Sequence, residues 1–199
     1  MRRIIVFFFI LFITRLAKAQ TWSPLDSMKL SLKNKPNIIL GMDKRNSYVV
    51  GMPVNVFGIR VGYDYGKLAL LGAFYSASTT KEGTANTYDY MILGAICEYH
   101  WYKTHRFRVY QTLQSGIGTV DIKETNNITK EIQFTSKMIL PIETGVTGNI
   151  RFLKYFGLTG GVGVRTSLTP NTYYTAPYYS FGIMVFTKDL LKDIRNFNK

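Results

Sequence analysis

The sequence is poor in the residues that carry most enzymatic and redox chemistry. It has one cysteine, Cys97. An intrachain disulfide is therefore excluded, and an exported form must be held together in some other way. Only two histidines occur, His100 and His105, and no His/Cys spacing fits a zinc site. Charged residues make up 19%, below the usual quarter. Beyond the first twenty residues no apolar run reaches the ~18 residues of a spanning helix, so none is expected.

What is present leans toward strands. Aromatics reach 15% and there are 17 glycines, a composition that favours β structure. The start is a separate signal. "MRR" is a basic n-region, "IIVFFFILFIT" an apolar h-region and "AKA" a small-residue cleavage site. Residues 1–19 read as a secretory leader, with Gln20 as the new N-terminus. Without Arg2, Arg3, Arg15 and Lys18 the formal charge falls from +13 to +9. Export argues against nucleic acid as the partner for that charge and favours anionic lipid headgroups or surface polysaccharide.

Residues 20–35 read as a polar periplasmic tail. From Pro36 onward one alternation recurs in eight stretches: 37–45, 54–65, 68–78, 87–102, 107–120, 137–151, 155–168 and 178–186. Most exceed the five or six residues usual for soluble strands and match the ~9–11 of a tilted strand crossing a bilayer. From the second strand on, short and long connections alternate, the long ones being 79–86, 121–136 and 169–177. Outer-membrane barrels alternate in this way. The connection 46–53 is expected to be extracellular and of moderate length. Pro141 lies inside a strand, which predicts a bulge or bend there.

The two rows of each strand differ in kind. Phe57, Ile59, Val61, Leu93, Leu140, Ile142, Val162 and Ile183 fall on apolar rows. The opposite rows hold glycines and the charged set Arg60, Asp64, Glu98, His100, Arg108, Glu143, Arg151 and Arg165. A soluble sandwich also alternates, but its wet face would carry Lys, Glu and Thr rather than glycine. The expectation is therefore an inverted barrel, with the apolar rows facing lipid and a charge-paired network plugging the lumen. Tyr63, Tyr65, Tyr99, Trp101, Phe107, Phe156 and Tyr179 lie near strand ends and read as interfacial girdles.

This layout resembles the small eight-stranded outer-membrane β-barrels, the OmpA/OmpX-like class. The stretch from Pro36 to Tyr75, with "EYHWY" and "GGVGVR" downstream, is similar to the outer-membrane barrel domains of Bacteroidota. The resemblance implies an all-β, antiparallel, up-and-down transmembrane barrel over 36–186, integral to the outer membrane. It implies a monomer surrounded by outer-membrane lipid and lipopolysaccharide, inserted by the barrel-assembly machinery, with no cofactor and no metal. Barrels of this class often end on an aromatic residue, here Phe186. The tail 187–199 has Leu190, Leu191, Ile194 and Phe197 at helical spacing, with Thr187 as N-cap, and predicts an amphipathic helix.

The expected role is structural or surface-interacting, through the long loops. A narrow pore is the alternative. A lipid A-modifying enzyme is a further one, which would need His100 with a serine and an acid. Ser115 falls on the apolar row, so His100 is expected in an ion pair with Arg108 instead.

Overall fold

The computed structural model describes residues 24–49, 52–80, 86–125, 132–169 and 175–197. The expected leader lies outside these. Nine strands are present: β1 Asn37–Val49, β2 Met52–Asp64, β3 Leu68–Thr80, β4 Thr87–Lys103, β5 Phe107–Thr125, β6 Ile132–Ile139, β7 Pro141–Arg151, β8 Phe156–Ser167 and β9 Ala176–Val185. Among the described residues two helices flank them, α1 Pro24–Ser31 and α2 Thr187–Phe197. All pairings are antiparallel, β4 pairs with β5, and β9 pairs back onto β1. β6 and β7 are two pieces of one stave, so the wall is a closed eight-stave barrel. Closure leaves no open edge in the wall, which a lipid environment demands.

The break between β6 and β7 falls at Leu140, before Pro141. Gly118 faces Ile139 on one side of it and Ser115 faces Ile142 on the other. The register is the same across the break, so Pro141 removes a donor without inserting a residue. The Leu140 carbonyl still accepts from Leu168 N at 3.0 Å. The expected bulge is elsewhere, at Trp101 in β4. His100 pairs with Tyr110, yet Tyr102 pairs with Val109. Trp101 and Tyr102 both point outward and are half exposed. The next residue, Lys103, is thereby turned inward.

Going once around the wall fixes the shear. From Asn37 the partners run through Asp64, Ala69, Glu98, Thr112, Gly145, Gly163 and Tyr178 and return on Ser47, ten residues along the starting strand. With a rise of about 3.3 Å and a spacing of about 4.8 Å, this offset tilts the staves by about 40°.

Several strands run further than the alternation suggested. Val49 pairs with Met52, so the first connection is tight rather than moderate. Much of 121–136 is paired strand, Asp121 with Ser136 through Thr125 with Ile132. The tight turns at 65–67, 104–106 and 152–155 lie at the end that holds α1 and α2. At the first of these Gly66 has φ +108°, which only glycine adopts without strain. Its amide donates to Asp64 Oδ1 at 2.8 Å.

The tail at 20–35, expected to be a plain polar segment, contains α1. Pro24 opens it, where a missing amide hydrogen costs nothing, and Asp26 and Lys29 suit the helix dipole. α2 forms over the expected tail, but Thr187 does not cap it. Its hydroxyl donates to the Ile38 carbonyl and ties the helix to β1.

Candidate functional site

Alternation sends one row of each stave inward, and the barrel is narrow enough for opposite walls to touch. Three polar layers and an apolar cap fill the lumen. At the end near the tight turns, Lys103 Nζ donates to both Asp64 oxygens at 2.6 and 2.7 Å, and Arg108 Nη1 to Asp64 Oδ2 at 3.3 Å. In the middle layer Arg60 donates to Glu98 at 2.8 Å and to the Tyr110 hydroxyl at 3.2 Å. Glu98 is completely buried.

The third layer is built around Arg45. Its Nε donates to Asp43 at 2.9 Å and its Nη1 to Gln114 at 3.0 Å. The same guanidinium also holds Glu143 and the Tyr75 hydroxyl, and it lies 4.2 Å from the Tyr75 ring centre and 5.4 Å from that of Tyr178. Arg165 is buried beside this layer, directly across from Glu143 in the ladder. Buried charges are tolerable where they are paired and costly where they are half-satisfied; among the described residues Asp43 Oδ1, Arg60 Nε, Glu98 Oε2 and Gln114 Nε2 have no hydrogen-bond partner. Beyond Arg45 the lumen closes with Val54, Val56, Ala77, Tyr90, Ile92, Val120 and Ile139, all buried in one apolar cluster. That cluster continues down the β3–β4 wall, through Leu71, Ala73 and Ile96. The inward surface is therefore polar on one side and apolar on the other.

Inward glycines make room for the large side chains. A Cβ on Gly58 would lie 2.0 Å from the Tyr75 ring, and one on Gly163 would lie 2.6 Å from the Tyr178 hydroxyl. An internal space of about 10 Å³ remains between Asp43, Arg45, Arg60, Thr112 and Tyr178, room for one water at most.

Of the charged set read from the sequence, Arg60, Asp64, Glu98, His100, Glu143 and Arg165 are buried inside, and Arg108 reaches Asp64. Two members behave differently from expectation. Arg151 lies at the mouth, where it ends β7 and donates to the turn carbonyls of Leu153 and Lys154. His100 makes no ion pair with Arg108. It packs on Tyr110 at 5.1 Å between ring centres, both of its ring nitrogens lack hydrogen-bond partners, and Asp64 takes Arg108 instead. Ser115 is exposed on the outer wall, on the opposite face from His100. Among the described residues no three His, Cys, Asp or Glu side chains stand together.

Asp43, Arg45, Gln114, Tyr75, Tyr178 and Lys103 were not singled out in the sequence. The run "MDKRNS" reads as a charged strand end, although Gly41, Asp43, Arg45 and Ser47 continue the inward alternation of β1. No local signal marks Lys103, because the bulge at Trp101 decides its direction. The Lys103–Asp64 pair is partly hydrated, with the lysine side chain 28% exposed. Asp64 is buried but keeps Arg108 and the Gly66 amide, so Lys103→Met is expected to cost about 1–3 kcal/mol, read from urea unfolding in vesicles.

On the outside, Phe57, Ile59, Val61, Leu93, Val162 and Ile183 are exposed, while Leu140 and Ile142 are half-buried beside the β6–β7 break. The aromatics are distributed unevenly. Tyr63, Tyr65, Tyr99, Trp101, Phe107 and Phe156 ring the end with the tight turns. Tyr179 alone of the named set lies toward the other end, opposite Asn46. Phe186 turns into the mouth, buried, with Arg108 and Arg151 each 4.8 Å over its ring.

An outer wall of exposed apolar side chains around a charge-filled interior is the reverse of a soluble barrel. No protein-family model matches the sequence, and no curated protein matches it. Solved structures do share the fold. The N-terminal β-barrel domain of Pseudomonas aeruginosa OprF is 13% identical, covering 76% of this chain and 98% of its own, at a TM-score of 0.50. Neisserial surface protein A is 13% identical, covering 76% and 96%, at 0.50. A major outer membrane protein of Thermus thermophilus is 11% identical, covering 74% and 98%, at 0.51. The chain has the fold of the small eight-stranded outer-membrane β-barrels.

Proposed function

We propose that this protein is a sealed outer-membrane barrel that works through its surfaces and carries no solute through its lumen. One observation supports this most directly: among the described residues the lumen is filled by three charge-paired layers and an apolar cap, and the space between Asp43, Arg45, Arg60, Thr112 and Tyr178 is about 10 Å³. A hydrated ion needs far more room than one water. The helices and tight turns lie on the periplasmic side in this reading, and the longer connections face outward.

The outward end supplies a surface. β5 and β6 extend as a hairpin past Ile139, and Ile132, Phe134 and Met138 are exposed on it. Planar-bilayer recording tests the sealed lumen. The refolded protein is expected to give no steady conductance at physiological salt. A stable single-channel level would reject the reading in favour of a pore.

A further inference from the structure

The barrel's charge is partitioned between its ends. At the end with the tight turns, the segments 24–36, 65–67, 104–106, 152–155 and 187–197 carry nine Lys and Arg against three Asp. At the opposite rim, the described residues of 46–55, 78–89, 119–138 and 166–177 carry Lys123 and Lys137 against Asp89, Asp121 and Glu124. The connections 81–85 and 126–131 add one residue of each sign apiece. The luminal charges nearly cancel. Most of the protein's positive excess is therefore a collar around one mouth.

The collar is also greasy. α1 buries Ser27 and Ser31 and leaves Leu25 and Leu30 exposed, Leu25 to 67%, and Leu32 just after it is exposed as well. That is the inverse of a helix laid on a core with its other face in water. Phe152 and Leu153 stand exposed in the β7–β8 turn, and Ile194 is exposed on α2. Lys29, Lys33, Lys67, Arg106 and Lys188 are exposed at the same end. The ring of aromatics, with Trp101 and Tyr102 half exposed, lies at this end too. Lys154 is held by Asp193, and that hydrogen bond keeps its ammonium protonated to higher pH than usual.

We propose that this collar binds the anionic phospholipid headgroups of the leaflet around the periplasmic mouth. The leucines and Phe152 sit at the acyl boundary and the basic groups meet phosphates. An acidic soluble partner would explain the charge but not the outward leucines beside it. The proposal rests on the membrane-barrel reading, and the test separates the two.

The full chain is refolded into phosphatidylcholine vesicles containing spin-labelled phosphatidylglycerol or spin-labelled phosphatidylcholine. Heat-modifiable migration reports whether the barrel has inserted. The expected result is at least threefold selectivity for phosphatidylglycerol in the motionally restricted shell, falling toward unity in 0.5 M salt. The variant Lys29→Gln/Lys33→Gln/Lys67→Gln/Arg106→Gln/Lys188→Gln should still migrate as a folded barrel and lose that selectivity. Lys123→Gln/Lys137→Gln should keep it. In a Cys97→Ser background, a fluorophore at Leu30→Cys should be quenched by brominated acyl chains. An inserted barrel without selectivity, or selectivity that survives the five-residue variant, overturns the proposal. So does polyglutamate binding through those five residues while the phospholipid is not selected, since it would assign the collar to an acidic polymer. Failure to insert at all would instead overturn the barrel reading.

Discussion

Arg45→Leu is expected to destabilise the barrel by about 3–5 kcal/mol, the usual cost of removing one partner from a buried charge cluster. Arg45, Asp43 and Glu143 are all at least nine-tenths buried. The guanidinium serves Asp43, Glu143, Gln114 and the Tyr75 hydroxyl together. Removing it leaves two carboxylates facing each other beside an internal space of only about 10 Å³, with little room for water to replace it. Arg45→Lys should recover little, because a single ammonium cannot reproduce the planar fork of donors. The double variant Arg45→Leu/Glu143→Leu should be less destabilised than the sum of its parts, since it removes charges in pairs. Equilibrium unfolding in urea from lipid vesicles measures all three. A loss below about 1 kcal/mol for Arg45→Leu, the size of a surface pair, would show that this layer does not hold the staves together.

Gly58→Val is expected to cost about 3 kcal/mol, the upper end of ordinary overpacking. The new Cβ would lie 2.0 Å from Tyr75 Cδ1 and 2.1 Å from Cε1. Tyr75 is buried and its hydroxyl is tied to Arg45, so the ring cannot swing aside without breaking the Arg45 layer. Gly72→Val is the control. Gly72 points outward and a Cβ there meets nothing within 4 Å, so that variant should be neutral or slightly stabilising through strand propensity. Gly58→Ala combined with Tyr75→Ala should cost less than the sum of the two single substitutions, because the second removes the ring that the first one strikes. Equal effects of Gly58→Val and Gly72→Val would mean that Gly58 is not a socket for Tyr75.

The rows of alternating residues and the tight turns were readable one strand at a time. Side-chain direction repeats every second residue, and the closing of a hairpin depends on a few neighbouring residues. That is why Phe57, Ile59 and Val61 could be set apart from Gly58, Arg60 and Gly62 without knowing any partner strand. The first connection is tighter and the 121–136 segment more strand-like than their composition suggests, because polar residues such as Asp121, Lys123 and Ser136 pair in a ladder that projects past the wall. Propensity reads them as loop, whereas the pairing to the opposite strand keeps them extended.

The sequence alone thus determined the eight-stave wall and the two sides of its strands, since both follow from local periodicity. The tertiary structure decided which residues meet across the lumen. Arg45 reaches Gln114 and Glu143, 69 and 98 residues away, because a stagger of ten residues sets the height of each stave. One extra residue at Trp101 aims Lys103 inward. The position of α1 leaves its leucines outward and concentrates the positive charge at one mouth. Stagger, bulge and helix placement are sums over the whole closed ring, and no single segment contains them.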